Sequence, residues 1–142
     1  MRFMMLMIPK GYEKARPGTM PDAKRVKEMM KYNESLQKAG VLLALDGLHP
    51  LSAGARVSFE QGKPIVTDGP FIEAKEVIGG YWMIQVASKE EAIEWARRCP
   101  ATGDEVIEIR QVQEMADFPE DVKKAAAGFS EVKAQPGQHG EA

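Results

Sequence analysis

Residues 68–86 read DGPFIEAKEVIGGYWMIQV, and the fold follows from how this stretch divides. Asp68-Gly69-Pro70 is a turn, because aspartate bonds to nearby backbone, glycine frees the chain and proline fixes φ. Glu73, Lys75 and Glu76 then gather charge ahead of the pair Gly79-Gly80. Tyr81–Val86 is short, apolar and rich in aromatic and branched side chains, which is the pattern of a strand. Ser88-Lys89-Glu90-Glu91 opens a helix at once, with Ser88 as N-cap and Glu91 in capping-box position. That helix runs over Lys89–Arg98 with Ala92, Ile93, Trp95 and Ala96 apolar, until Pro100 and Gly103 break it.

Working outward, Arg56–Glu60 and Pro64–Thr67 form a hairpin across Gln61-Gly62-Lys63, where glycine supplies the positive φ of a tight turn. Phe3–Ile8 is a buried strand ended by Pro9, and Lys10–Gly18 is a loop. A helix follows, with Thr19 as cap, Asp22 three residues on, and Gly40 as its terminator. Val26, Met29, Met30, Asn33, Leu36 and Gln37 share one stripe of this helix, whose roughly 20 residues span about 30 Å. Val41–Leu45 is a strand leading to Gly47-Leu48-His49-Pro50. Glu105–Val112 alternates, with Val106, Ile107, Ile109 and Val112 against Glu105, Glu108 and Arg110. A short helix at Pro119–Ala127 closes the ordered part. Setting the hairpin aside leaves βαββαβ, the ferredoxin-like α+β arrangement of an antiparallel sheet with both helices on one face. The strands are apolar on both sides, so the free sheet face calls for a homodimer.

The 142 residues fit one domain over 1–128, followed by a polar, flexible tail over 129–142. Apolar content of 44%, charged content of 28% and a net charge of −2 are those of a globular protein without a basic stripe, so no nucleic acid is expected as a partner. The apolar N-terminus stops at Pro9, too short for a secretory leader or a membrane span, so the expected location is cytoplasmic with no membrane association. Cys99 stands alone, which rules out an intramolecular disulfide.

Asp68-Gly-Pro-Phe, Glu73-x-Lys75-Glu76-x-x-Gly79-Gly80-Tyr81, Ala92-x-x-Trp95-Ala96 with Cys99-Pro100, and Glu108-Ile109-Arg110 closely resemble the DGPF branch of the YCII-related family. The opening strand and Gly47-Leu48-His49-Pro50 match as well, so the likeness covers roughly residues 1–115. The resemblance implies a bacterial protein with a dimeric α+β barrel, a cleft with a His–Asp pair, and a functional link to an extracytoplasmic-function sigma factor.

The candidate catalytic pair is His49 with Asp68. An imidazole of ordinary pKa, near ~6.5, is the natural proton carrier at neutral pH, and a carboxylate orients it. Asp68 has a second reading as the acceptor of an Asx turn, and His49 as a loop histidine bonded to a carbonyl. Glu73, Lys75, Tyr81 and Arg110 are the candidate ligand-binding residues; a solvated charge run is the alternative for the first two and an ion pair for Arg110. Phe71 reads as an anchor and Cys99 as inert. Neither a metal nor a cofactor is expected, because ligand spacings of the His-x-x-x-His or Cys-x-x-Cys kind and a phosphate loop are missing. These residues support a protein that binds a small polar organic molecule, with proton transfer on it as the enzymatic form of that reading; the alternative is a non-catalytic binding or regulatory module.

Overall fold

The computed structural model describes residues 1–69, 71, 75–101 and 103–128. Its contacts divide the chain into two compact units, Met1–Val112 and Gln113–Ala142. The first holds β1 (Arg2–Ile8), α1 (Ala23–Lys38), β2 (Leu42–Gly47), β3 (Ala55–Glu60), β4 (Lys63–Asp68), β5 (Gly80–Gln85), α2 (Lys89–Arg97) and β6 (Val106–Gln111). In the second, a short 3₁₀ turn at Met115–Asp117 precedes α3 (Glu120–Ala125). The expected tail over 129–142 lies outside the described residues.

β2, β5, β1 and β6 form one antiparallel sheet in that order, and β3 and β4 form a separate ribbon. The α+β architecture and strand order are those expected of a ferredoxin-like fold. Alternation along the strands sends Phe3, Met5, Met7, Trp82 and Ile84 to one face, where they pack with Tyr32 and Leu36 of α1 and Ala92 of α2. The opposite face carries Met4, Leu6, Ile8, Met83 and Val106, in register with Tyr81, Glu108 and Arg110.

Asp22, and not Thr19, caps α1: its carboxylate accepts the Arg25 N–H at 2.8 Å. Thr19 instead donates to the Arg16 carbonyl in the preceding turn. Aspartate caps better than threonine, and here it stands three residues before the N–H it reaches. The helix therefore has 16 residues and spans about 24 Å, shorter than expected. Its end is a Schellman motif, with Val41 N–H on the Leu36 carbonyl, Gly40 N–H on the Gln37 carbonyl, and Gly40 at φ +74°. Tyr32 is buried where the stripe named the exposed Gln37. In the ribbon, Gln61 and Gly62 at φ 49° and 78° make a two-residue turn, so Lys63 belongs to β4.

Asn33 is the buried polar residue of the core, and its Oδ1 accepts the Trp82 indole N–H at 2.8 Å. Trp82 also meets Tyr32 edge-on at 5.6 Å between ring centroids. Asn33→Ala would strand the indole N–H, and a buried donor without a partner costs about 1–3 kcal/mol. The expected outcome is a lower urea midpoint with an unchanged m-value; an unshifted midpoint would show that the bond contributes nothing.

Candidate functional site

Because the sheet is antiparallel, the C-terminal ends of β1 and β2 lie beside the N-terminal ends of β5 and β6. The loops leaving and entering these ends, with the approach to α1, enclose a cleft of about 830 Å³. Lys10 and Tyr12 come from the loop after β1, Asp22 and Arg25 from the start of α1, Gly47, Leu48 and His49 from the end of β2, and Asp104 and Glu105 from the segment before β6. This volume lies within the range of small-molecule sites.

Gly79 ties these segments together. Its N–H donates to the Met7 carbonyl and its carbonyl accepts the Leu48 N–H, both at 2.8 Å. A side chain cannot be placed there, because a Cβ would come within 2.7 Å of Pro9 Cγ and 3.2 Å of Tyr12 Cδ2. At Gly80 a Cβ would sit 2.9 Å from the Asp46 carbonyl oxygen, so the glycine pair lets β5 approach both neighbours closely. Leu48 is held a second time by the Tyr12 hydroxyl, which donates to its carbonyl. Pro50, on the other side of His49, is fully buried. The His49 backbone is thus clamped from both sides while its exposed side chain lines the cleft and makes no hydrogen bond to a described residue.

The charges around it are mostly engaged. Lys10 meets Asp104 at 2.7 Å, but both side chains are 74% exposed, so the pair contributes little. Arg25 meets Glu105 at 3.0 Å, and the Glu105 side chain is only 9% exposed. Hydrogen bonds from its own backbone N–H and that of Gly103, with the Arg25 guanidinium, outweigh burial and hold the Glu105 carboxyl at about 2. Burial raises the Tyr12 hydroxyl above its ordinary pKa, so it remains a donor.

Of the residues expected from sequence, His49 lies in this cleft. Asp68 ends β4 opposite Ala55; it lines neither this cleft nor the groove beside it, and its carboxylate accepts no hydrogen bond from a described residue. Gly69 packs against the Leu51–Ser52 backbone, where a Cβ would lie 2.9 Å from Ser52 Cα. Phe71 stacks beneath the Arg56 guanidinium, 4.5 Å from its ring centroid. Glu73 lies outside the described residues, and Lys75 is exposed. The Tyr81 hydroxyl donates to Asp46 Oδ2 at 2.7 Å, and that bond raises its pKa. Arg110 sits on the sheet face opposite α1 and α2, 3.7 Å from Glu108. Burial, and then the Glu105 charge, push the Cys99 thiol up to about 11, which leaves it protonated and unreactive at neutral pH.

Sequence reasoning did not name Asp22, Arg25, Asp104 or Glu105 as site residues. Arg25 and Glu105 are 80 positions apart, and only the strand order brings them together. Among the described residues no group of three or more His, Cys, Asp or Glu could hold a metal ion, and no helix is long and apolar enough to cross a membrane.

The YCII-related domain matches residues 1–116, and the chain belongs to that family. An uncharacterized protein of Rhizobium meliloti (strain 1021) is 29% identical over 102 residues, covering 69% of this chain and 82% of the relative.

The folded pKa of Glu105, about 2, lies below the ordinary glutamate value of 4.5. Its contribution to stability is therefore complete above the unfolded value and is lost as pH falls toward the folded one. At pH 7, Glu105→Gln should be less stable by about 1.5–3 kcal/mol, the range for a hydrogen bond to a charged group. Urea titrations at pH 7 and pH 3 check this: the gap between wild type and variant should shrink at pH 3, and an equal gap at both would contradict the assignment.

Proposed function

We propose that the protein binds a small polar organic molecule in the His49 cleft, and that His49 acts there as the proton carrier. The observation that supports this best is a solvent-reaching imidazole on a clamped backbone, in a cavity large enough for a metabolite. A fixed backbone leaves only the side-chain rotamers of the ring to be ordered, which lowers the entropy cost of positioning it for proton transfer. Asp68 lines neither cavity, so the carboxylates that share the cleft with His49 are Asp22, Asp104 and Glu105. Native mass spectrometry of freshly purified protein should reveal a bound small molecule that is absent from His49→Ala. Equal occupancy in both proteins would sink the reading.

The same proposal includes a cytoplasmic homodimer formed through the free sheet face, where Met4, Leu6, Ile8 and Met83 are uncovered by any helix of their own unit. A second reading, that of an interaction module, draws on the β3–β4 ribbon. One face of it aligns Val57, Phe59, Pro64 and Val66, with Phe59 70% and Val66 67% exposed. Exposed apolar patches of this kind mark protein contacts. The likeness to the DGPF branch names an extracytoplasmic-function sigma factor as the partner to try. Sedimentation equilibrium at micromolar concentration, alone and with such a factor, tests both parts. A monomer alone would overturn the dimer, and no heavier species on mixing would overturn the second reading.

A further inference from the structure

On α1, Leu36 is 0% and Tyr32 5% exposed, whereas Val26 and Met30, turned away from them around the helix, are 43% and 50% exposed. Beside this flank runs a groove of about 290 Å³, walled by Val26, Met29 and Met30 of α1 and by Met7, Leu45 and Trp82 of the sheet. Three of these six side chains are methionines, whose unbranched, polarizable chains adapt to varied apolar shapes.

The groove opens into the His49 cleft. Pro21, Arg25, Gly47 and Gly79 line both. At this junction Gly47 differs from its neighbour Gly79. A Cβ on Gly47 would meet nothing within 4 Å, so its missing side chain leaves open space and is not demanded by packing. Its φ is also outside the left-handed region, so backbone conformation gives no reason for glycine there. Asn33 adds a polar element: it is buried, it lines the groove, and its Nδ2 reaches only the Met30 sulfur at 3.7 Å, a weak acceptor.

We propose that groove and cleft are one site, and that its ligand is an amphipathic small molecule with an apolar tail under α1, a polar head beside His49, and a neck passing Gly47. This rests on the reading of the cleft as a binding site and names the class of molecule it takes. The head is cationic rather than anionic. The cleft sets three carboxylates, Asp22, Asp104 and Glu105, against two cations, Lys10 and Arg25, which leaves an excess of one negative charge. The N-terminus of α1, otherwise attractive to an anion, is occupied by Asp22.

Calorimetric titration with n-alkylamines from butyl to decyl, and with n-alkanoates of matched length, tests the inference. Affinity for the amines should rise about fourfold per added methylene until the groove is filled, and the alkanoates should bind more weakly. The Trp82 indole N–H resonance should move only with the longer chains. Gly47→Ile, whose Cβ has open space around it, should flatten the dependence on chain length; Met30→Gln, on the exposed wall, should reduce it if the first variant misfolds. Binding that is independent of chain length overturns the amphipathic assignment while leaving the polar cleft intact. Failure of every amine to bind overturns it as well, whereas the His49 reading stands or falls on the co-purifying molecule. Tighter binding of alkanoates than of amines would overturn the charge of the head.

Discussion

The peptide unit at Gly79 is where three strand ends meet. Its N–H reaches β1 through Met7 and its carbonyl reaches the exit of β2 through Leu48, while its missing side chain admits the Pro9 ring. Any Cβ would force either Pro9 or β5 outward. The cleft walls, the clamp on His49 and the entry of β5 between its two neighbours all depend on this one close approach. Gly80 extends it by letting β2 come near, and Gly69 does the same for the ribbon against Leu51–Ser52. The glycines of the 68–86 segment are thus explained by chain crossings, each with a named backbone or ring on the other side.

The element order was legible because each element carries its own local signal. Ser88 caps α2 by accepting the Glu91 N–H, Gly40 ends α1 with φ +74°, and Gln61-Gly62 turns the ribbon. Strand alternation placed Ile107 and Ile109 of β6 toward the helices, but Val106, read with them, is 51% exposed on the other face, and the Glu105 side chain, read against them, is only 9% exposed. What local signals could not supply was distance across the fold. Arg25 and Glu105 look like ordinary surface charges in sequence, and become a pair only when the start of α1 is laid beside the entry to β6. His49 was legible because an imidazole before a proline at a strand end is conspicuous. Asp68 was equally conspicuous, but β4 carries it to the ribbon, away from the cavities. The α1 stripe misled in a different way: it was drawn toward Val26, Met30 and Gln37, which are exposed, whereas the buried face is centred on Tyr32, Asn33 and Leu36. Apolar side chains on the flank of a helix widen the apparent stripe beyond the face that is packed.

The two faces of the sheet have different chemistry. On the helix side, Asn33 and Trp82 satisfy each other inside an otherwise apolar layer, which fixes the rotamers of both and the register of α1 over β5. On the other side, apolar Met4 and Leu6 stand beside Asp46–Tyr81 and Glu108–Arg110, polar pairs whose partners are already chosen.

The strand order also dictates the sequence of events during synthesis. β1 is central, yet its neighbours β5 and β6 are the last strands made, and β2 must wait for β5 before it has any partner. Through Asp68, the emerging chain can close just one sheet pairing, the local β3–β4 ribbon. The apolar strand Phe3–Ile8 therefore leaves the ribosome about a hundred residues before its second edge is covered, at a synthesis rate of ~5–20 residues per second. Such long-range closure slows folding, and for several seconds the most apolar segment of the chain depends on α1 alone for shelter.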